Sequence, residues 1–430
     1  MSRRPGAAGR RRGLEACKTA IIVLLTASAV LLMLTAARYS GSGWDGLEQL
    51  VARIAGQETP PPRKAEEPSH IDAALPLAVT VRGSAGRTSF QGDFAAIDAA
   101  FERLGSHLAA ALDTAGNAQS IPESELIRAA TGNSLCFFYP GDIPLQLLAD
   151  WLDANAAGLG LSGRDFVLVV RDGTVQLLVG GQDGCWRLET QADAASLADA
   201  LDDDPTDGTL LAAESSDYSR LDGLTLIDPS VTALPAADAA NPWSDTFLTA
   251  TAETLGFNPY GDTTYQDRTG NVYTETDCTL RIDADCVLSL RNQGLAERFS
   301  AASSASDDCV EYLRALLVTL TSGLETDARL YCTGLTEDGD VLRVEFSYFL
   351  AGRPVRQPSG TAVTASFEDG VLSELTFRIR AYTLRSGETL ALLPAAQIAA
   401  VAPEGQRLVA GYADSGDTAL TAGWLRQDSQ

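Results

Sequence analysis

Two segments of the chain repeat apolar residues at the spacing of an amphipathic helix. In the first, at 93–112, the apolar positions are Phe94, Ile97, Phe101, Leu104, Leu108 and Leu112. In the second, at 307–323, they are Val310, Leu313, Leu316, Leu317 and Leu320. Steps of three and four residues place each set on one side of a helix. Both segments predict helices that pack on a core, and Asp307 or Asp308 is predicted to cap the second.

Other segments alternate apolar and polar residues, which is the pattern of half-buried strands. The residues that share one face of "VLRVEFSYFL" are Val344, Phe346, Tyr348 and Leu350. Ala351 and Gly352 then predict a tight turn into the next strand. In "LTFRIRAYTL", Arg378 and Arg380 lie on the polar face, which is expected to contact solvent or a partner protein. Strands of this kind follow one another with helices between them. The sequence therefore predicts an α+β fold with antiparallel sheets and packed helices.

The amino-terminal segment has the pattern of a membrane anchor. Between Lys18 and Arg38 lie 19 uncharged residues, which span about 28 Å as a helix, close to the thickness of a bilayer core. Five arginines precede Lys18 and predict a cytoplasmic amino terminus. A signal peptide cleaved after Ala37 is the alternative. The whole chain has a formal charge of −25, so the body is expected to repel nucleic acid.

Composition divides the rest of the chain into predicted parts. Proline and charge are frequent in "GQETPPPRKAEEPSH", and "PSVTALPAADAANPW" is rich in proline and alanine, as in linkers. The predicted parts are a basic cytoplasmic leader at 1–17, a single transmembrane helix at 18–38, a stalk at 39–75, an N-terminal α+β extracytoplasmic domain at 76–228, a hinge at 229–243 and a C-terminal α+β extracytoplasmic domain at 244–430.

Six cysteines follow the predicted anchor, and an oxidising compartment permits disulfides. Six cysteines allow 15 pairings, among which the sequence alone cannot choose. Two short-range pairs are attractive and leave a third, so the candidate disulfides join Cys278 with Cys286, Cys309 with Cys332, and Cys136 with Cys185.

A search for catalytic residues finds no constellation. The chain has two histidines, His70 in the predicted stalk and His107 in the first predicted helix, and it lacks H-E-x-x-H and G-x-S-x-G. No catalytic residue, metal ligand, cofactor or small-molecule substrate is predicted. A pair of carboxylates acting on a glycosidic bond stays open, because 57 acidic residues allow many spatial pairs.

The order of several phrases is similar to that of a known family. "LADWL", "LGFNPYGDTTYQDRTGNVYTE", "VEFSYFLAGRPV", "LLPAAQIAAV" and "GYADSGD" follow one another, and the likeness covers roughly residues 16–428. In this order the chain resembles the YycH/YycI group, and most closely the YycH-like proteins of clostridia. These are membrane-anchored accessory regulators of the WalK-type sensor histidine kinase of Gram-positive bacteria.

The resemblance implies an α+β extracytoplasmic body on one transmembrane helix, without enzymatic activity. It implies a membrane sensor histidine kinase as partner, with a second YycH/YycI-like regulator as a further one. Because the family contacts its kinase largely through transmembrane helices, the implied contact residues are Ile21, Leu24, Leu25, Ala27, Ser28, Ala29 and Leu32.

The resulting hypothesis is a non-enzymatic regulator of a two-component kinase linked to cell-envelope homeostasis. Its localisation is the cell membrane, with the bulk of the chain outside. The alternatives are a cell-envelope hydrolase with an acidic pair and a secreted ligand-binding or adhesive protein.

Overall fold

The computed structural model describes residues 70–427, apart from residues 157, 203, 204, 262 and 359. In this part of the chain no helix is long and apolar enough to cross a membrane. The predicted leader, the predicted transmembrane helix and most of the predicted stalk lie outside the described residues.

The described helices agree with the two strongest helical patterns. They are α1 (His70–Ala73), α2 (Phe94–Asp113), α3 (Glu123–Ala130), α4 (Leu145–Trp151), α5 (Ala194–Asp202), α6 (Asp245–Thr254), α7 (Ser306–Thr321) and α8 (Ala395–Val401). The predicted cap of α7 is wrong, because Ala305 occupies the N-cap and the two aspartates lie in the first turn. Their charges still interact favourably with the amino end of the helix dipole.

The N-terminal half, residues 76–228, is built on a seven-stranded antiparallel sheet in the order β2-β1-β4-β5-β6-β7-β3. Its strands are β1 (Ala78–Gly83), β2 (Gly86–Gln91), β3 (Gly116–Ile121), β4 (Ser134–Pro144), β5 (Ser162–Arg171), β6 (Thr174–Gly181) and β7 (Gly184–Glu189), followed by a short pair, β8 (Leu210–Leu211) and β9 (Leu226–Ile227). Helices cover both faces: Phe166 of β5 shares a core with α2, and the next residue, Val167, shares one with α3.

The C-terminal half, residues 244–430, contains an eleven-stranded sheet. The strands from residue 233 onward are β10 (Ala233–Ala240), β11 (Thr264–Gln266), β12 (Gly270–Glu275), β13 (Cys278–Asp283), β14 (Val287–Asn292), β15 (Ala328–Asp338), β16 (Val341–Leu350), β17 (Arg353–Arg356), β18 (Val363–Glu368), β19 (Val371–Arg378), β20 (Ala381–Ala391), β21 (Leu408–Ala413) and β22 (Thr421–Arg426). The strand ladders are antiparallel except for β17 with β21. The predicted α+β class with mostly antiparallel sheets is therefore confirmed.

The hairpin formed by β16 and β17 was predicted in detail. The four residues predicted to share one face of β16 are at most 3% exposed. Ala351 and Gly352 both have positive φ, at 49° and 70°, as a two-residue hairpin turn requires. The alternation prediction and the turn prediction are both confirmed.

The segment predicted as a hinge, 229–243, contains a strand. β10 pairs with β20 from Ala233 opposite Ala391 to Ala240 opposite Ala381, with a bulge next to Pro235. Proline has no N–H to donate and is tolerated at such a bulge. The two halves are therefore joined by a strand that is part of the C-terminal half.

One hydrophobic cluster extends through both halves, from Phe137 of β4 to Leu313 of α7 and Phe346 of β16. At the contact, Gly141 of β4 lies so close to the backbone of Thr333 in β15 that a Cβ atom would clash. The last residues of the predicted stalk include α1 and the buried Leu75.

Candidate functional site

A cavity of about 350 Å³ lies between the C-terminal half and the segment of α1 and Leu75, which precedes the N-terminal half. We call it the junction cavity. Its walls come from α1, α7, β15, β16 and the segment between β19 and β20, and the residues that define it are Asp72, Leu75, Arg314, Leu317, Arg329, Phe346, Tyr348 and Arg380. A depression of about 360 Å³ follows the turns at 212–223. Its carboxylate, Glu214, is already bound by Arg82 and Arg87.

Arg329 is held in the junction cavity by two contacts with α2. Its Nη1 and Nη2 donate to the two carboxylate oxygens of Asp98 at 2.8 and 2.6 Å, and its guanidinium lies 4.2 Å from the ring centroid of Phe94. The hydrogen bond with Asp98 raises the pKa of Arg329. A bidentate pair and a stacked ring fix the orientation of a guanidinium.

Arg314 lies on the buried side of α7 and is bound by Glu311 of the same helix. Its Nε and Nη2 donate to the Glu311 oxygens at 2.8 and 2.6 Å. One of those oxygens also accepts a hydrogen bond of 3.1 Å from the indole Nε1 of Trp151 in α4. Glu311 therefore connects an arginine of the C-terminal half to a tryptophan of the N-terminal half.

Arg380 is 6% exposed and belongs to a buried polar network. Its Nε and Nη2 donate to Asp414 at 3.0 and 3.2 Å, and the Tyr382 hydroxyl donates to the same carboxylate at 2.9 Å. Gln357 of the chain after β17 donates to the Tyr382 oxygen at 2.8 Å. Arg380 was expected on a polar outer face, which is wrong, because the strand breaks between Arg378 and Ala381.

The remaining wall is α1 and the residues after it. Asp72 and Ala73 line the cavity, and the backbone carbonyl of Ala74 accepts a 2.7 Å hydrogen bond from the hydroxyl of Tyr139 in β4. Leu75 is 7% exposed. A four-residue helix has little stability of its own, so the packing of this segment sets its position.

The chemistry available in the junction cavity is that of binding. Each of its three arginines has a carboxylate partner that fixes the guanidinium. An adjoining cavity of about 50 Å³ shares Arg314 and Arg329 and also contains Tyr331. Burial raises the pKa of Tyr331 to about 12, so its hydroxyl stays protonated. Apolar walls with a few fixed donors suit an amphipathic ligand that carries hydrogen-bond acceptors.

The six described cysteines are free thiols, so the candidate disulfides are absent. Cys136 and Cys185 lie in β4 and β7, with β5 and β6 between them. Strand spacing places them about 14 Å apart, beyond the reach of a disulfide. Cys278 starts β13 and Cys286 follows the other end of that strand. For Cys309 in α7 and Cys332 in β15, the thiols contact different backbone carbonyls, those of Ser303 and Gly334.

Burial makes four of the six described thiols poor nucleophiles. It raises the pKa of Cys185 and Cys309 to about 11, and the pKa of Cys286 and Cys332 to about 12. The thiolate is the reactive form, so these four thiols stay protonated at neutral pH. Burial also lowers the pKa of the half-buried His107.

Other predicted features are placed as follows. Among the described residues, no group of three or more His, Cys, Asp or Glu side chains is arranged to hold a metal ion. The expectation of no cofactor stays a prediction. The contact residues implied for the membrane, Ile21, Leu24, Leu25, Ala27, Ser28, Ala29 and Leu32, lie outside the described residues.

The sequence did not identify the arginines of the junction cavity. One signal was present, because Arg314 follows Val310 by four residues on the predicted apolar side of α7, and it is buried. A charged residue at such a position indicates a buried pair. Arg329 carried no local signal, since its partner Asp98 is 231 residues away.

Comparisons with known proteins give little further information. No protein-family model matches the chain, and no curated protein matches it. Among solved structures, it is similar to an uncharacterized protein from Eubacterium rectale ATCC 33656 with 13% sequence identity and a TM-score of 0.29. The match covers 45% of this chain and 76% of that one. At this level of similarity the match supports no inference about function.

Proposed function

We propose that the chain is a non-enzymatic regulator of a two-component sensor histidine kinase, anchored in the membrane by the helix at 18–38. In this proposal the body lies outside the cell, and the anchor helix contacts the helices of the kinase. The physical basis is packing in lipid, where small residues such as Ala27, Ser28 and Ala29 allow close approach of two helices.

The observation that carries the proposal is the position of α1 in a wall of the junction cavity. α1 begins the described chain at His70, directly after the segment that leads from the predicted anchor. A molecule in the cavity would contact Asp72 and Ala73. Its occupancy would therefore bias the position of the segment that leads to the membrane.

The other walls of the junction cavity are held in place while α1 shifts. Arg329 is bound to α2 and Glu311 is bound to α4, so β15 and α7 are tied to the N-terminal half. A ligand changes an equilibrium only by binding its two states with different affinity. We expect this difference in affinity to come from the position of α1, because this short helix forms one wall of the junction cavity alone.

Capture from membranes tests the kinase contact. The tagged full chain, purified from native and from cross-linked membranes, is expected to bring down a sensor histidine kinase. Ala29→Leu is expected to reduce the capture by filling the small-residue surface, whereas Leu31→Ile, a change in the same segment that preserves size, is expected to leave it unchanged. Absence of any kinase from both preparations would contradict the proposal.

A second experiment tests the role of the cavity. Val318 lines it, and the next residue of α7, Thr319, does not; both are exposed. We expect Val318→Trp to change the phosphorylation output of the captured kinase and Thr319→Trp to leave it unchanged. Equal phosphorylation outputs from the two variants would show that the junction cavity has no role in regulating the kinase.

Two measurements distinguish the alternatives. A mature amino terminus directly after Ala37 would replace the anchored regulator with a secreted protein. Release of sugars from peptidoglycan fragments by the purified chain would replace it with a hydrolase.

A further inference from the structure

The turn between β16 and β17, at Ala351 and Gly352, projects from the C-terminal half into the N-terminal half. We call these two residues the hairpin tip. A Cβ atom on Gly352 would lie 2.8 Å from Cδ1 of Ile97, 3.3 Å from the backbone N of Gly92 and 3.6 Å from the carbonyl oxygen of Leu77. The residue after the tip, Arg353, is 8% exposed and lies in the same contact between the two halves.

Arg353 has weak polar contacts for a buried cation. Its Nη1 donates to Oε1 of Gln91 at 3.4 Å, and its buried Nε has no hydrogen-bond partner among the described residues. No carboxylate of the described chain forms an ion pair with it; Asp228 acts on it only through its charge. Burial therefore lowers the pKa of Arg353, which is consistent with a charge that the fold does not compensate.

A second arginine on the same cavity shows the difference. Arg407 donates through Nη1 and Nη2 to Asp165 of β5 at 2.7 and 3.0 Å, and through Nε to Asp222 at 3.2 Å. Both arginines are 8% exposed. Arg407 is bound by two carboxylates, whereas Arg353 is bound only by the amide of Gln91. The charge without a carboxylate partner in this cavity is therefore that of Arg353.

The space beside Arg353 has the size of a small anion. Its volume is about 60 Å³, and roughly 10–15 Å³ holds one water, so four or five heavy atoms fit. The lining also has an apolar part, which includes Leu77, Phe138, Leu224 and Leu408. An ion with one negative charge and an apolar end matches both parts of the lining, whereas a dianion would bring a second charge without a partner.

We propose that Arg353 and this cavity form a binding site for a small monocarboxylate of the size of acetate or propionate. The carboxylate binds the Arg353 guanidinium through two N–H groups, and the alkyl end packs against the leucines. The site is separate from the junction cavity and does not depend on the proposed kinase contact.

Thermal unfolding of the purified full chain in detergent, at constant pH and ionic strength, tests the site. Sodium propionate is expected to raise the midpoint saturably, relative to sodium chloride. Arg353→Met is expected to weaken the apparent affinity at least tenfold. Arg356→Met removes the same charge from an exposed position of β17 and is expected to keep the wild-type affinity. Saturation transfer from protein to propionate in NMR is a second readout, expected for the wild type and lost in Arg353→Met.

Two results would overturn the proposal: a wild-type response to propionate no larger than to chloride, or an equal response of Arg353→Met. A saturable response to inorganic phosphate instead of propionate would also overturn the monocarboxylate assignment. If Arg353→Met does not fold, Arg353→Lys keeps the charge and loses the two-pronged geometry. We expect it to bind propionate several-fold more weakly, and an unchanged affinity would contradict the site.

Discussion

Two regions of the contact between the halves bury an arginine equally and use it differently. Around Arg407, two carboxylates of the N-terminal half bind the guanidinium, so the charge ties the halves together. Around the hairpin tip, shape makes the contact, and Arg353 next to it has no acidic partner among the described residues. The contribution of a buried charged residue to stability therefore depends on its hydrogen-bond and ion-pair partners, and burial alone does not determine it.

The largest expected effect is the loss of the carboxylate from the first region. Asp165→Ala leaves Arg407 buried with Asp222 alone, and we expect it to lower the free energy of unfolding by about 3–5 kcal/mol, as in other broken buried pairs. Chemical denaturation of the full chain measures it. Asp199→Ala, in the exposed part of α5, is the control, with a change of about 0.5 kcal/mol or less. Equal losses in the two variants would show that Asp165 does not stabilise the contact.

The next effect tests the shape of the second region. Gly352→Ala adds strain at positive φ and a contact with Ile97, so we expect a loss of about 2–3 kcal/mol. Gly339→Ala, in the turn between β15 and β16, has a φ of 63° and no atom near its Cβ position. It is expected to lose about 1 kcal/mol. Ile97→Val, which removes Cδ1, should restore part of the lost stability in the Gly352→Ala variant and should not stabilise the wild type. Absence of this recovery would show that the strain does not come from the contact with Ile97.

The third prediction compares Arg353 with Arg407 and expects a smaller effect of opposite sign for Arg353. In the absence of propionate, Arg353→Met removes a buried charge that lacks a partner, and we expect the free energy of unfolding to stay equal or to rise by about 1 kcal/mol. Arg407→Met, which leaves Asp165 with only the Arg164 guanidinium at 3.9 Å, is expected to lose about 3 kcal/mol. Denaturation of the two variants side by side measures both. Losses of equal size would abolish the distinction between the regions.

The smallest effect concerns a half-buried acid, Glu345. One carboxylate oxygen of Glu345 in β16 is buried without a hydrogen-bond partner among the described residues, and burial raises its pKa in the folded state. The charged form is therefore disfavoured by folding. Glu345→Gln should raise stability at pH 7 by a few tenths of a kcal/mol, and the gain should vanish below about pH 4, where both states are protonated.

Denaturation at pH 7 and pH 4 measures this difference. Glu337→Gln, on the exposed end of β15, supplies the same charge change without burial. A stability gain that is equal at the two pH values would contradict the explanation by ionisation.

The sequence predicted the elements whose pattern is local. The stripe of α2, the alternation of β16 and the turn at Ala351 and Gly352 all depend on neighbours within a few residues. The strand in the predicted hinge was not expected, because proline and alanine suggest a linker, whereas β10 pairs with β20, about 150 residues later in the chain.

The candidate sites depend on contacts that no local pattern contains. Arg329 and Asp98 are separated by 231 residues, and Arg407 and Asp165 by 242. Arg380 was placed on the wrong face because a single break in a strand reverses the alternation that follows. Arg353 shows the same limit, because the missing partner of a buried charge is visible only in three dimensions.

The hairpin tip also has a consequence for the order of synthesis. Arg353 and Gln91 are 262 residues apart, and ribosomes add about 5–20 residues per second. Gln91 is therefore made roughly 13–50 s before Arg353 and the tip that fills the notch at Ile97 and Leu77. During that interval the notch presents apolar surface to any chaperone or neighbouring nascent chain. Completion of the fold then waits for a turn encoded more than half a chain length later.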